Sequence, residues 1–101
     1  MVYGGDVPRR SDIPGPPRDF VQGRFLEDDA EIPIVVRYAQ ELARNLHEAI
    51  GPLSLRYVAR RAKLDHTTIA AVLSGSRWPD LVTIAKLEQA LGRRLWPDLV
   101  D

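Results

Sequence analysis

From residue 34 onward, apolar residues recur at three- and four-residue steps, a pattern that predicts amphipathic helices. A first helix follows Pro33 and ends at the Gly-Pro pair of residues 51 and 52. Further helices are predicted after Ser54, Asp65 and Asp80, because these side chains can accept free backbone N–H groups of a first turn. The predicted inward positions are Val35, Tyr38, Leu42, Leu46 and Ala49, then Val58, Ala59 and Ala62, then Ile69, Val72 and Leu73, then Leu81, Ile84, Leu87 and Leu91, with Leu95, Trp96 and Leu99 as a lid.

The first 33 residues lack this periodicity. Residues 1–19 contain four prolines and three glycines, so we expect them to be extended or disordered. Residues 20–32 carry Phe20, Val21, Phe25 and Leu26, which we expect to dock as a short strand or turn, on the domain or on a second copy. We therefore divide the chain into a Pro/Gly-rich and then acidic N-terminal arm (1–33) and a compact all-α domain of four to five helices (34–101).

Composition narrows the class of protein. With 101 residues and 45% apolar content, the chain can build one core without disulfide or metal staples. It has no cysteine, which excludes a disulfide scaffold and a thiolate site. No apolar run approaches a membrane span and no secretory signal is present, so we expect a cytoplasmic protein without membrane association.

The formal net charge is zero, but the charge is unevenly distributed. Residues 1–33 hold seven acidic residues and four arginines, whereas residues 34–101 hold ten basic and seven acidic residues. Within residues 54–77 the only acidic residue is Asp65. The five basic residues there, Arg56, Arg60, Arg61, Lys63 and Arg77, form the footprint expected for a phosphate-rich partner, although any one of them could simply solvate a helix.

The third predicted helix has an unusual outer surface. Opposite its apolar stripe lie Thr67, Ala70, Ala71 and Ser74, which are small and uncharged. Solvated helix faces normally carry Lys, Glu or Arg, so this face suits close approach to another surface. The alternative is that the alanines are only good helix formers and that His66 is a solvated first-turn residue.

The segment from Leu53 to Gly92, LSLRYVARRAKLDHTTIAAVLSGSRWPDLVTIAKLEQALG, resembles the lambda-repressor-like, Cro-type (XRE-like) helix-turn-helix family without a gap. The resemblance implies a DNA-binding transcriptional regulator that places the helix 65–74 in the major groove. A homodimeric repressor of a pseudo-palindromic operator in double-stranded DNA is the expected form. The implied DNA-binding residues are Ser54, Arg56, His66, Thr67, Thr68, Ala70, Ala71, Ser74, Ser76 and Arg77.

One departure from the family concerns the turn between the second and third helices. Glycine is common there, whereas this chain has Lys63. If the position is left-handed, a residue with a Cβ costs about 1 kcal/mol.

Two other classes of function are considered. An antitoxin or other protein-interaction module would use residues 1–33 to bind a partner protein, and could coexist with DNA binding. An enzyme is not expected, because His47 and His66 lie in different helices and the chain has no phosphate-binding glycine loop. The acidic residues 27–31 lack the spacing of a calcium loop, so we expect neither a metal nor a cofactor.

Overall fold

The computed structural model describes residues 15–27 and 32–99. These ranges contain four α-helices and no strand, which confirms the predicted all-α class. The helices are α1 (Ile34–Ile50), α2 (Leu55–Ala62), α3 (His66–Ser74) and α4 (Leu81–Leu91), and a single 3₁₀ turn spans Pro17–Phe20. None of the described helices combines the length and apolar character needed to cross a membrane.

The predicted helix starts are confirmed in atomic detail. Ser54 Oγ accepts the Tyr57 N–H at 3.1 Å, and an Asp65 carboxylate oxygen accepts the Thr67 N–H at 3.0 Å. Asp80 accepts the Thr83 N–H at 2.7 Å. Each bond satisfies a donor that has no partner within its helix, so these polar residues set where α2, α3 and α4 begin.

The main core lies between all four helices. Leu46, Val58 and Ile69 are completely buried and represent α1, α2 and α3, while Leu87 of α4 is almost so. Leu95, after α4, closes this core because its N–H bonds a Glu88 carboxylate oxygen at 2.7 Å. The full set of buried residues is Leu42, Leu46, Ile50, Val58, Ala59, Ala62, Ile69, Val72, Ile84, Leu87 and Leu95.

A second, smaller core joins the N-terminal segment to α1. Val21, Phe25 and Ile32 pack against Val36, Ala39 and Ala43 of α1. Buried Gln40 fixes the position of this segment, because its side-chain amide donates to the Phe25 carbonyl at 2.8 Å and the Glu27 carbonyl at 3.0 Å. The docking expected for residues 20–32 therefore takes place on the domain itself, for the residues that the structure describes.

Some sequence-based expectations were wrong. Val35 is 54% exposed, although Leu42 and Leu46 of the same predicted face are buried. Helix α1 also buries Val36, Ala39 and Ala43, on the side that the N-terminal segment covers. Leu81, which was expected to face inward, is 73% exposed, since it occupies the first turn of α4 before Thr83 and Ile84 enter the core.

Two further differences concern the ends of the chain. Trp96 is not a buried lid: it is 51% exposed and lies across the Tyr38 ring, with 6.2 Å between the ring centroids. Residues 17–19 belong to the 3₁₀ turn rather than to an extended segment. The expectation for residues 1–14 lies outside the described residues.

Candidate DNA interface

The turn between α2 and α3 is made by Lys63 and Leu64. Lys63 adopts the left-handed conformation, with φ 57° and ψ 48°, and among the described residues it alone combines a side chain with a positive φ. The Leu64 N–H bonds the Ala59 carbonyl at 2.9 Å, which ends α2 and turns the chain into α3. Lys63 therefore occupies a left-handed position, the case in which a side chain there costs about 1 kcal/mol.

The outer face of α3 matches the predicted pattern in most positions. Thr67, Ala70 and Ser74 are exposed, whereas Ile69 and Val72 are buried in the main core. Two other predicted contact residues, Thr68 and Ala71, are half-buried along one flank of this face. The exposed face therefore carries no charged side chain between its two ends.

The first turn of α3 presents His66 beside Asp65. His66 Nδ1 lies 3.5 Å from an Asp65 carboxylate oxygen, and the imidazole is partly exposed. The pKa of Asp65 is lowered, first by the hydrogen bond from the Thr67 N–H and also by the nearby His66. Asp65 therefore stays ionised as a cap, while the ring of His66 remains accessible for a partner.

The last turn of α3 is closed by a set of short-range hydrogen bonds. The N–H of Ser76 donates to the Ala71 carbonyl at 3.0 Å, and the hydroxyl groups of Ser74 and Ser76 are 3.1 Å apart. Arg77 extends back along the helix, with Nη1 3.5 Å from Thr68 Oγ1. Four of the predicted contact residues, Ala71, Ser74, Ser76 and Arg77, thus belong to this end of the chain segment, and the Arg77 side chain reaches back to Thr68 in the first turn.

The remaining predicted residues lie on α2. Ser54 is exposed but its hydroxyl oxygen is engaged as the α2 cap, and Arg56 is exposed two residues later. A groove beside the first turn of α3 brings Arg56 together with two basic residues that were absent from the predicted site. The groove is lined by Arg56, Ala59, Arg60, Lys63, Leu64, Asp65 and His66.

The N-terminal segment also reaches the end of α3, which sequence reasoning did not foresee. The Arg18 N–H donates to the Gly75 carbonyl at 2.9 Å, and Trp78 Nε1 donates to the Gly15 carbonyl at 2.9 Å. The ring of Phe25 lies directly against Gly75. No local sequence signal indicates these contacts, because they join residues about 50 to 60 positions apart.

Away from α3, several large apolar side chains are exposed. Val35 and Trp96 line an apolar depression of about 280 Å³ together with Trp78 and Pro79. Helix α4 starts just after Pro79, and its first two residues are also exposed. Seven large apolar residues are exposed in the part of the chain that the structure describes, and two of them, Leu53 and Tyr57, lie before and within α2. We use the term apolar surface for the other five, at the starts of α1 and α4 and after α4: Ile34, Val35, Leu81, Val82 and Trp96.

The chain is similar to one known protein family and to a solved structure. A family model described as Helix-turn-helix matches residues 53–95, which include α2, the turn, α3 and α4. Among solved structures, the chain is similar to the restriction-modification controller protein C.AhdI from Aeromonas hydrophila, with 35% sequence identity and a TM-score of 0.47. That match covers 61% of this chain and 91% of the controller protein. None of the curated proteins matches the sequence.

Proposed function

Since this chain belongs to the lambda-repressor-like helix-turn-helix family, we propose that it is a sequence-specific repressor that reads a pseudo-palindromic operator with α3. The observation that supports this proposal most directly is the outer face of α3. Its residues Thr67, Ala70 and Ser74 are exposed, small and uncharged, and it is flanked by Arg56 beside the first turn and by Arg77, whose guanidinium lies beside Thr68. Such a face can enter the major groove while the arginines reach phosphates on either side.

The residues of α3 have distinct proposed roles. Thr67, Ala70 and Ser74 form the part that lies nearest the bases, where a Thr methyl or an Ala side chain can contact a thymine methyl group. His66 contacts a base edge from the first turn, because its ring is accessible there. Thr68 and Ala71 form the half-buried flank of the same face, and the Arg77 guanidinium lies beside Thr68 on this flank.

The other predicted residues contact the DNA backbone. These residues come before and after α3 in the chain: Ser54 and Arg56 at the start of α2, and Ser76 and Arg77 after α3. We call α3 the reading helix. Backbone contacts supply affinity that does not depend on sequence and fix the register of the protein on DNA. Arg60 and Lys63 add positive charge in the groove beside His66.

We also propose that the protein binds as a homodimer through the apolar surface. Leu81 and Val82, at 73% and 62% exposure, are contiguous in the chain and begin α4, directly after the loop that lines the apolar depression. Large apolar side chains this exposed are costly in water, and a second copy would cover them. A two-fold dimer presents two α3 helices, which accounts for a pseudo-palindromic operator.

A selection from random duplexes tests the proposed function. The full-length chain at low salt is expected to enrich a motif with two inverted half-sites, centred about one helical turn apart. A reporter whose promoter overlaps this motif should be expressed less when the protein is present. Failure to enrich any motif would contradict sequence-specific DNA binding. Higher expression of the reporter in the presence of the protein would contradict repression.

The alternative function, a protein-interaction module that acts through residues 1–33, has less support. Two apolar side chains of the arm, Val21 and Phe25, are buried against α1 and are therefore not free to contact a partner protein. A partner would have to displace this packing or bind elsewhere on the arm.

A further inference from the structure

The C-terminal end of α3 has an electrostatic disadvantage for DNA binding. Helix carbonyls point toward this end and give it a partial negative charge, which disfavours a nearby phosphate. Helices often compensate with a basic residue in the last turn, but the last turn of α3 has none. A cation must therefore come from elsewhere if this end of α3 is to lie close to the DNA backbone.

The N-terminal segment places Arg18 at this position. The backbone N–H of Arg18 donates to the carbonyl of Gly75, the residue that caps α3. Three contacts hold the segment there: Phe25 against Gly75, the hydrogen bond from Trp78 Nε1 to the Gly15 carbonyl, and the edge-on contact of Phe20 with the Trp78 ring. The location of Arg18 is therefore set by packing on both sides of it.

The charge of Arg18 is available for a partner. Arg18 is exposed, and its guanidinium makes no ion pair within residues 15–27 and 32–99. Asp19 does not neutralise it, because the Asp19 carboxylate folds back over Gly15, 2.6 Å from where a Cβ would lie. Glu27 folds over Gly23 in the same way.

We propose that Arg18 binds a DNA phosphate beside the C-terminal end of α3. The N-terminal segment then forms part of the DNA interface. Arg18 adds a cation at the Gly75 end of α3, whereas the guanidinium of Arg77 lies beside Thr68 near the start of α3. This inference rests on the proposed function, but it concerns a residue that lies outside the segment matched by the family model. Because Arg18 contacts a phosphate of the DNA backbone, it contributes to the affinity for DNA and not to the preference for particular bases.

Arg18→Ala tests this role cleanly because the backbone N–H that bonds Gly75 remains. The measurement is fluorescence anisotropy of the full-length chain with the duplex obtained by selection, over a range of salt concentrations. We expect the Kd to rise several-fold at physiological salt. The negative slope of the log of the association constant against log salt should become shallower by about 0.9 for each bound copy, because one phosphate contact is lost. The melting temperature and the selected motif should not change.

Two matched variants complete the experiment. Arg18→Lys keeps a positive charge and should retain most of the salt slope. Arg94→Ala removes an exposed arginine two residues beyond Gly92, which ends α4, and should bind like the parent. An Arg18→Ala slope equal to that of the parent, or an equal loss in Arg94→Ala, would overturn the inference while the parent still binds its motif. If the parent selects no motif, the proposed function itself fails.

Discussion

Phe25 and Gly75 are in such close contact that no side chain fits between them. A Cβ built on Gly75 would lie 2.5 Å from Cδ1 of the Phe25 ring. Gly75 also has a φ of 74°, so this position requires glycine for two separate reasons, its left-handed backbone and the ring packed against it. The contact joins the N-terminal segment to the end of the reading helix.

A comparison with Gly92 can separate the two requirements at Gly75. Gly92 also ends a helix in the left-handed conformation, but a Cβ added there would meet no atom within 4 Å. Gly92→Ala should lower the free energy of unfolding by about 1 kcal/mol, the cost of the backbone conformation alone. Gly75→Ala should cost about 1–3 kcal/mol more, because the Phe25 ring must move. Urea denaturation measures both, and equal losses would show that the ring adapts freely.

At Lys63 we expect the opposite effect, because there a substitution by glycine should raise the free energy of unfolding. Its side chain is exposed and its backbone is left-handed, so Lys63→Gly removes steric strain without removing a buried contact. We expect the free energy of unfolding to rise by up to about 1 kcal/mol, since part of the gain is offset by the greater freedom of glycine in the unfolded chain. Lys63→Ala, which keeps the Cβ, is the control and should not be stabilised. A less stable glycine variant would contradict a strained turn.

Ala70 tests whether α3 enters the groove. Ala70→Glu places a carboxylate on the exposed face, where phosphates and base acceptors repel it, so binding to the selected duplex should be lost. Ala70→Gln has nearly the same size and should bind better than the Glu variant but less well than the parent. Both should fold normally, as seen by circular dichroism, because the position is exposed. Normal binding by the Glu variant would show that this face does not read DNA.

The apolar surface is tested at Leu81. Leu81→Glu should convert the protein to a monomer in sedimentation equilibrium, because a charge cannot be buried unpaired between two copies. Gln89→Glu introduces the same charge at an exposed polar position of α4 and should leave the oligomeric state unchanged. A Leu81 variant with the parent's mass in solution would place the dimer contact elsewhere.

Acid conditions should weaken the start of α3. The folded-state pKa of Asp65 lies below its ordinary value, because the ionised carboxylate accepts the Thr67 N–H. The resulting stabilisation is present above the unfolded-state pKa, about 3.9, and is lost as pH falls through the lower folded-state pKa. Asp65→Asn keeps a good cap without a titrating group. The parent should therefore keep any advantage over this variant in melting temperature from neutral pH down to about pH 3.9, and lose it progressively at lower pH.

The sequence predicted the helix boundaries well because they depend on neighbours in the chain. Ser54, Asp65 and Asp80 each bond an N–H two or three residues away, and such local geometry is visible in the sequence. The left-handed conformation of Lys63 was considered only because the family often has glycine at this turn, and the local sequence alone did not indicate it.

The inward faces of α1 and α4 were harder to predict. Ile34, Val35 and Val36 are consecutive apolar residues, and periodicity alone does not tell which of them faces the core. The pair Leu81 and Val82 presents the same ambiguity, because an apolar residue that stays exposed cannot be told from a core residue by its hydropathy. Arg18 was not among the predicted site residues, because its position depends on contacts between residues far apart in the sequence.

The hydrogen bond from Trp78 to Gly15 spans 63 positions of the chain. Closing such a long loop costs conformational entropy, and this cost is offset only by the contacts that form once both ends of the loop are in place. The N-terminal segment has no surface to dock on until α1 and the end of α3 have come together, so we expect it to join late during folding. The same order in reverse leads us to expect that this segment can be released while the main core stays folded, which would expose the Gly75 end of α3.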